Sequence, residues 1–296
     1  MTAQEAQALV DQGVQQLLED PDAWRQWATT YARFHQYSPG NVLLIMSQRP
    51  DASMVAGYHA WQALGRQVQK GEHGIAILAP VTKKEPDPEH PKEPPKARVV
   101  GFRAATVFDI AQTQGRELTL PNPKALTGHA MHDLLQHVIQ SAIPVPVAFA
   151  QLTDAYGVWS PVERRIQIKA DAEPDHQLKT LLHEWSHSLG VPDAQAAKTR
   201  HVGTEEVTAE TTAYILAQSL GLDTKDYSQG YVAGWAQGDP KQVIAVQQEV
   251  GRRVHSITQA LQAAAEHDPV LRQAQAVATW TPPKAAQQAE DLSMSR

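Results

Sequence analysis

The stretch KTLLHEWSHSLGVPD, residues 179–193, places His183 and His187 four positions apart, with Glu184 beside the first histidine. On an α-helix, positions i and i+4 lie one above the other, so both imidazoles can reach one metal ion. Glu184 then lies about 100° round the helix, beside the ion. There it can accept a proton from a water that the ion has acidified. The stretch therefore predicts a helix with a metal site and a general base.

The alternative is an ordinary surface helix that happens to contain two histidines. The apolar spacing of LKTLL before the motif predicts that one face of the helix is buried, and Gly190 predicts that the helix ends just past it. Buried imidazoles without a ligand would need other hydrogen-bond partners. We therefore favour the metal site.

Two residues compete to be the third protein ligand. Asp193 lies six residues after His187, the position of the third ligand in metzincin sites. Those sites also have a methionine turn downstream, and here only Met294, near the end of the chain, follows the motif. Glu206 lies 19 residues after His187, on the next predicted helix, and this spacing leaves room for a loop that lays the two helices together. The spacing favours Glu206.

The two glutamates nearest to Glu206 in the sequence have different expected roles. Glu210 is one helical turn further on the same face, where it can hold a ligating histidine by its second nitrogen. Glu205 points elsewhere and is expected to be solvated. Two histidines and a carboxylate favour one Zn²⁺ per chain, although Mn²⁺ or Fe²⁺ can take the same ligands.

Composition limits the classes of protein that this chain can be. It has 296 residues, 42% of them hydrophobic and 20% charged, enough for two globular domains. The absence of cysteine excludes disulfides and thiolate metal clusters. A net charge of −6 provides no general basic surface for duplex DNA. With no signal-like start and no long apolar run, we expect a cytoplasmic protein without a membrane partner.

Periodicity and turn residues predict an α+β protein of two domains. Helical spacing runs through 4–36, with a break at Asp20-Pro21-Asp22, and IAILAPV and ARVVGFRAATVFDI should form paired strands. YGVWSPVERRIQIKAD should form two short strands, followed by helices in the second domain. The predicted divisions are an N-terminal domain with a proline-rich loop, a C-terminal domain and a flexible tail, at 1–122 (loop 82–96), 123–280 and 281–296.

Aromatic and basic residues alternate in the first domain, as single-stranded DNA binding requires. Many of the aromatics have helical spacing and are expected in the core. The candidate DNA contacts are instead residues of turns and strand starts together with one tryptophan: Arg33, Tyr37, Asn41, Trp61, Arg66 and Lys70.

The N-terminal half resembles the single-stranded-DNA-binding domain of the ArdC antirestriction proteins. The resemblance is carried by YSPGNVLLIMSQRPDASMVAGYHAWQALGRQVQKGEHGIAILAPV and GFRAATVFDIAQTQGREL. The second half resembles the zincin-like metallopeptidase domain that accompanies it, and more distantly the ImmA/IrrE proteases, through YGVWSPVERRIQIKAD, KTLLHEWSHSLG, EEVTAETTAYILAQSLGL and YVAGWAQGDP. The long insertion at 82–96 and the bulky Trp185 depart from the family pattern.

The resemblance implies a zinc metallopeptidase that binds single-stranded DNA and hydrolyses an unidentified protein. It makes His183, His187 and Glu206 the ligands and Glu184 the general base, with the strand RRIQIKA beside extended substrate. The candidate donors to the oxyanion are His201, Tyr156 and Tyr214. Two alternatives remain open: a non-enzymatic protein that shields incoming DNA from nucleases, with a structural or vestigial metal site, and a DNA-activated protease that cleaves a transcriptional repressor.

Overall fold

The computed structural model describes residues 1–85, 96–118, 129–190, 202–222 and 239–272. These ranges contain helices and small sheets, which confirms the predicted α+β class. Contacts divide the chain into two compact units: Met1–Gln15 with Gly40–Leu118, and Gln16–Pro39 with the described part of Thr119–Thr281. No helix in these ranges is both long enough and apolar enough to cross a bilayer. The predicted tail 281–296 lies outside the described residues.

The predicted helices and strand pairs occur in the predicted order, together with short strands that the sequence patterns do not predict. The helices of the described ranges are α1 (Ala3–Glu19), α2 (Pro21–Arg33), α3 (Pro39–Gln48), α4 (Tyr58–Ala63), α5 (His129–Ser141), α6 (Pro174–Gly190), α7 (Val202–Ser219) and α8 (Pro240–Ala265), with a 3₁₀ turn at Ile110–Gln112. The strands are β1 (Val55–Gly57), β2 (Arg66–Val68), β3 (Ile75–Glu85), β4 (Lys96–Asp109), β5 (Thr113–Gly115), β6 (Val147–Ala150), β7 (Gly157–Ser160) and β8 (Arg165–Lys169).

The first unit is built on the antiparallel sheet β1-β4-β3, with β2 and β5 paired separately. The predicted pairing of the two long strands is confirmed, with one bulge at Val81/Thr82. The predicted proline-rich loop is partly strand, because β3 continues to Glu85 and β4 begins at Lys96. Residues 86–95 lie outside the described ranges.

Helix α3 closes the open edge of β3 with two side-chain amides. Asn41 donates to the carbonyl oxygen of Leu78 at 2.9 Å and accepts from its N–H at 2.8 Å. Gln48 makes the same pair of bonds with Ala76, at 2.8 and 2.9 Å. Each amide thus supplies the donor and acceptor that a neighbouring strand would supply. Asn41 is only 7% exposed, so it is a structural residue and the prediction that it contacts DNA is wrong.

Helix α2 groups with the second unit by its contacts, and the predicted first domain of 1–122 stays a prediction. The predicted break is confirmed, because the Asp20 side chain caps α2 by accepting from the N–H of Asp22 at 2.9 Å. The buried Trp24 then donates from its indole to Thr211 on α7 at 3.1 Å. The hydroxyls of Thr29 and Tyr214 are 2.9 Å apart. These contacts with α7 place α2 in the same compact unit as the histidine motif.

The second unit has a three-stranded sheet in the order β6-β8-β7. Strand β8 pairs in parallel with β6 and antiparallel with β7, so it is the central strand. The prediction that RRIQIKA lies beside extended substrate is therefore wrong, because the residues of β8 are paired on both sides. The edge strand β7 meets α6, because the backbone N–H of its Trp159 donates to Glu184.

Helix α6 is positioned by its apolar residues and by its two ends. Leu178, Leu181, Leu182 and Trp185 are at most 1% exposed and recur at helical spacing, which fixes the rotation of the helix about its axis. The helix starts at Pro174, where a missing N–H costs nothing, and it is described as far as Gly190.

Replacing Asn41 tests the amide bonds on the edge of β3. Asn41→Leu leaves the partly buried N–H and C=O of Leu78 without the partners that Asn41 provides, so we expect the free energy of unfolding to fall by about 2 kcal/mol. Denaturant unfolding followed by circular dichroism measures it. The control, Gln67→Leu, removes an exposed amide and should change stability by less than about 0.5 kcal/mol. Equal losses in the two variants would contradict the edge-closing role.

Candidate metal centre

His183 and His187 lie one turn apart on α6 and turn the same ring nitrogens towards each other. Their Nε2 atoms are 3.0 Å apart. The rings meet edge to face, with centroids 4.6 Å apart. Both side chains are mostly buried, yet their Nε2 atoms share one small space, as two ligands of the same ion must.

Glu206 on α7 completes the group. One carboxylate oxygen is 3.5 Å from Nε2 of His183, and the other is 3.5 Å from Nε2 of His187. The ligand atoms of the three residues lie within 4.8 Å of one another, and theirs is the one such group of three found within the described residues. Two imidazoles and a carboxylate suit Zn²⁺, and also admit Mn²⁺ or Fe²⁺. The competing Asp193 lies outside the described ranges.

The other ring nitrogen of each histidine faces a second glutamate of α7. Nδ1 of His183 is 3.1 Å from Glu210, as the sequence predicts for a residue one turn beyond Glu206. Nδ1 of His187 is 3.3 Å from Glu205, so the prediction that Glu205 is solvated is wrong. The two helices run antiparallel, because His187 pairs with the earlier glutamate and His183 with the later one. Both Nε2 atoms are left for an ion, in the arrangement of carboxylate–histidine–metal sites.

The carboxylates change the proton affinity of the centre. Burial lowers the pKa of His183, but hydrogen bonds to Glu206 and Glu210 outweigh it and raise the pKa to about 10. Hydrogen bonds to the two histidines hold the pKa of Glu206 far below its usual value. The carboxylates therefore favour positive charge at the imidazoles, and a proton and a metal ion compete to supply it.

Glu184 lies against the edge strand β7. The backbone N–H of Trp159 donates to Glu184 at 2.7 Å. A Cβ added to Gly157 would come within 2.9 Å of Cγ of Glu184 and 2.4 Å of Thr180, so glycine leaves the room that this packing needs. Burial raises the pKa of the Glu184 carboxyl. The carboxylate is fixed from behind by β7 and borders the cleft described next.

A cleft of about 760 Å³ opens in front of these residues. Its wall includes His183, Glu184 and Glu210, and it continues past Tyr156 and His176 towards the start of α6. The cleft gives a ligand access to Glu184 and to the first ligating histidine.

The three candidate oxyanion donors lie in different places. Tyr156 lines the cleft and is 53% exposed, with its ring centroid 4.1 Å from that of His176. Tyr214 is buried, and its hydroxyl is bonded to Thr29 and to Gln218. His201 lies outside the described residues. Among the candidates within the described residues, Tyr156 is therefore the one that lines the same cleft as Glu184.

The predicted DNA contacts lie in both units and differ in exposure. Trp61 is completely buried and donates to the carbonyl oxygen of Phe108 at 2.8 Å, so it has no face for a base. Arg66 spans β2 and β5 through bonds to Thr113 and Arg116. Arg33 and Lys70 are exposed and Tyr37 is half-buried, and these three stay predictions.

Sequence reasoning missed two features that the structure reveals. Phe102 on β4 is 61% exposed, although its setting in GFRAATVF suggests an ordinary strand residue. Arg253 on α8 is completely buried and bonded to Glu205. The only signal for it was an arginine pair within the apolar spacing of a helix, and that pattern is common on solvated helices.

The fold and the site define an α+β protein in which two histidines and a glutamate form a candidate centre for a divalent metal. Residues 3–108 match the family described as the N-terminal domain of anti-restriction factor ArdC. This match confirms the resemblance of the N-terminal half. The resemblance of the second half to metallopeptidases and to the ImmA/IrrE proteases stays a prediction.

Two solved structures and one curated relative are similar to the chain. The metal-free crystal structure of antirestriction ArdC protein from plasmid R388 has the same fold, with a TM-score of 0.50 at 20% identity over 78% of this chain and 86% of that chain. Its Mn(II)-bound structure gives a TM-score of 0.48 at 20% identity, over 78% and 90%. An uncharacterized protein of Bacillus anthracis is 24% identical over 255 residues, 73% of this chain and 43% of that protein, so this chain spans less than half of its relative's length.

Removing Glu210 tests the centre without touching a ligand. Glu210→Ala frees Nδ1 of His183, so we expect Zn²⁺ to bind roughly 10- to 100-fold more weakly. Competition with a chromophoric chelator measures the dissociation constant. The control is Glu163→Ala, which removes an exposed carboxylate paired with Arg165. If both variants bound Zn²⁺ as the unchanged protein does, Glu210 would have no part in the centre.

Proposed function

We propose that the second unit is a metal-dependent peptidase and that the ArdC-type N-terminal domain binds single-stranded DNA. The observation that supports the peptidase best is the place of Glu184. A buried carboxylate borders the same cleft as a ligating histidine and is held by a backbone N–H of an edge strand. A purely structural metal site has no use for such a group.

We propose that His183, His187 and Glu206 hold the ion, most simply Zn²⁺. Once bound, the ion would supply Lewis acidity, which polarises the scissile carbonyl and acidifies the attacking water. Glu205 and Glu210 fix the orientation of the two imidazoles through their Nδ1 atoms.

Glu184 carries the proton in this proposal. Its carboxylate takes one proton from the attacking water, and the hydroxide oxygen forms a bond to the carbonyl carbon. Glu184 then gives this proton to the amide nitrogen as the C–N bond breaks, so one water is consumed and one amine and one acid are formed. The bond from the N–H of Trp159 holds the carboxylate at the cleft. We propose that Tyr156, which is exposed and lines the cleft, donates to the oxygen that gains negative charge.

The proposed binding of single-stranded DNA is supported by the family match and by exposed residues. Proteins of this kind stack bases on aromatic rings and follow the backbone with cations. On the first unit Phe102 is 61% exposed and Lys70 is exposed as well. We therefore assign base stacking to Phe102 in place of the buried Trp61.

A Glu184→Gln variant tests the peptidase. We expect it to keep its Zn²⁺, because no ligand changes, and to lose roughly 10²- to 10⁴-fold in kcat, because the amide cannot carry the proton. The assay is cleavage of a fluorescent peptide library, with and without oligo(dT), and metal content by mass spectrometry. Glu173→Gln, on an exposed wall of the same cleft, is the matched control.

Each outcome of this assay separates the proposed functions. Cleavage by the unchanged protein and by the control, but not by Glu184→Gln, supports the peptidase. Cleavage only in the presence of oligo(dT) would favour the DNA-activated protease. No cleavage by the metal-loaded protein, with DNA protected from nuclease equally well by both variants, would favour the shield.

A Phe102→Ala variant tests the DNA-binding proposal. Loss of one stacked base should weaken binding of oligo(dT) roughly 5- to 100-fold. Fluorescence anisotropy at a fixed salt concentration measures the affinity. Phe149→Ala removes an exposed ring of the second unit and serves as the control. Unchanged affinity in Phe102→Ala would show that this ring stacks no base.

A further inference from the structure

A fully buried cation lies behind the metal centre. Arg253 on α8 is 0% exposed, and its guanidinium bonds to groups on three helices. Nη2 donates to Glu205 on α7 at 2.9 Å, and Nη1 donates to Ser186 on α6 at 3.2 Å. Nε donates to Glu249, one turn earlier on α8, at 3.0 Å. All three nitrogens of the guanidinium therefore have partners.

The position of this guanidinium leaves no room for a side chain at Gly190. A Cβ added to Gly190, the last residue of α6, would lie 1.9 Å from Nη2 of Arg253 and 2.5 Å from Glu205. Gly190 thus admits the guanidinium to the position from which it reaches Glu205. A buried charge is costly to desolvate and is tolerated only with well-placed partners. In such a setting the planar guanidinium group holds a carboxylate bonded to it in one orientation.

Glu205 connects the guanidinium of Arg253 to one of the ligating histidines. Its Oε1 atom is 2.9 Å from Nη2 of Arg253 and 3.3 Å from Nδ1 of His187. The carboxylate of Glu205 accepts from the arginine through Oε2 and faces the imidazole through Oε1. A histidine that donates from Nδ1 has its lone pair on Nε2, and Nε2 of His187 faces His183 and Glu206.

The second histidine is held differently. Nδ1 of His183 faces Glu210, whose side chain is 31% exposed and borders the open cleft. Glu205 is 13% exposed and lies between the imidazole and the buried arginine. The two halves of the site therefore differ in rigidity: His187 is the histidine anchored to the protein interior.

We propose that Arg253 is a positioning residue of the metal centre, which acts through Glu205 to fix the orientation and tautomer of His187. Helix α8, which supplies no ligand, is then the third helix of the site. This inference rests on the proposed metal centre and not on peptide hydrolysis. The experiment therefore measures metal binding, so a protein without peptidase activity can still support or overturn it.

The test is the Zn²⁺ affinity of Arg253→Met and Glu205→Gln, singly and together. If the arginine acts through the glutamate, each single variant binds Zn²⁺ roughly 10- to 100-fold more weakly and the double variant loses little more. Arg252→Met is the matched control, because Arg252 is the next residue along the chain and also bonds to Glu249, yet it is 48% exposed. It should change the affinity less than twofold. Unchanged affinity in Arg253→Met, or fully additive losses in the double variant, would overturn the proposal.

A second measurement uses only the unchanged protein, so it does not depend on whether the variants fold. In the unchanged protein loaded with Zn²⁺, the imidazole nitrogens of His187 are assigned by ¹H–¹⁵N correlation spectra. We expect Nδ1 to carry the proton and Nε2 to bind the metal. Metal on Nδ1, or a proton on Nδ1 that exchanges as fast as that of a solvent-exposed imidazole, would overturn the proposal even if Arg253→Met did not fold.

Discussion

The antiparallel contact between α6 and α7 is the constraint on which the candidate centre depends. Helix α6 alone supplies two imidazoles, and α7 alone supplies three carboxylates, in matching order along the contact. Glu205, Glu206 and Glu210 bring three negative charges into one small region. Arg253 supplies one positive charge, and a divalent ion would supply two more. Positive charge therefore favours this contact, which ties the packing of these helices to the charge of the site.

The ligand set could be proposed from the sequence because it depends on local geometry. The spacing of His183 and His187 fixes their common face on any α-helix, and the spacing of Glu206 and Glu210 does the same on the next helix. Glu205 could not be placed in this way. It lies about 100° round α7, where solvent is the default expectation. In the structure that direction leads into the protein interior, where Arg253, 48 residues later in the chain, bonds to Glu205.

The fold shows the same division between local and long-range information. The break before α2 was readable from Asp20 and its neighbours, because a capping residue and a proline act within one turn. The assignment of α2 to the second unit was not readable, since it depends on the indole of Trp24 meeting Thr211. The sequence also could not distinguish the exposure of Phe102 from that of Phe108, because both residues lie on the same face of β4. Phe108 would lie 3.1 Å from a Cβ on Gly74, whereas Phe102 stands further out on the hairpin and is exposed.

The amides of Asn41 and Gln48 have a consequence for how this protein meets other copies of itself. An open sheet edge is a template on which another chain can add a strand and begin to aggregate. Here the backbone groups of Ala76 and Leu78 on β3 are already occupied by a helix of the same chain. A helix cannot pass on the pairing as a strand would, because its own backbone bonds are satisfied internally. The first part of this edge is thus terminated, and Ala76 and Leu78 stay closed to strand addition for as long as α3 remains folded.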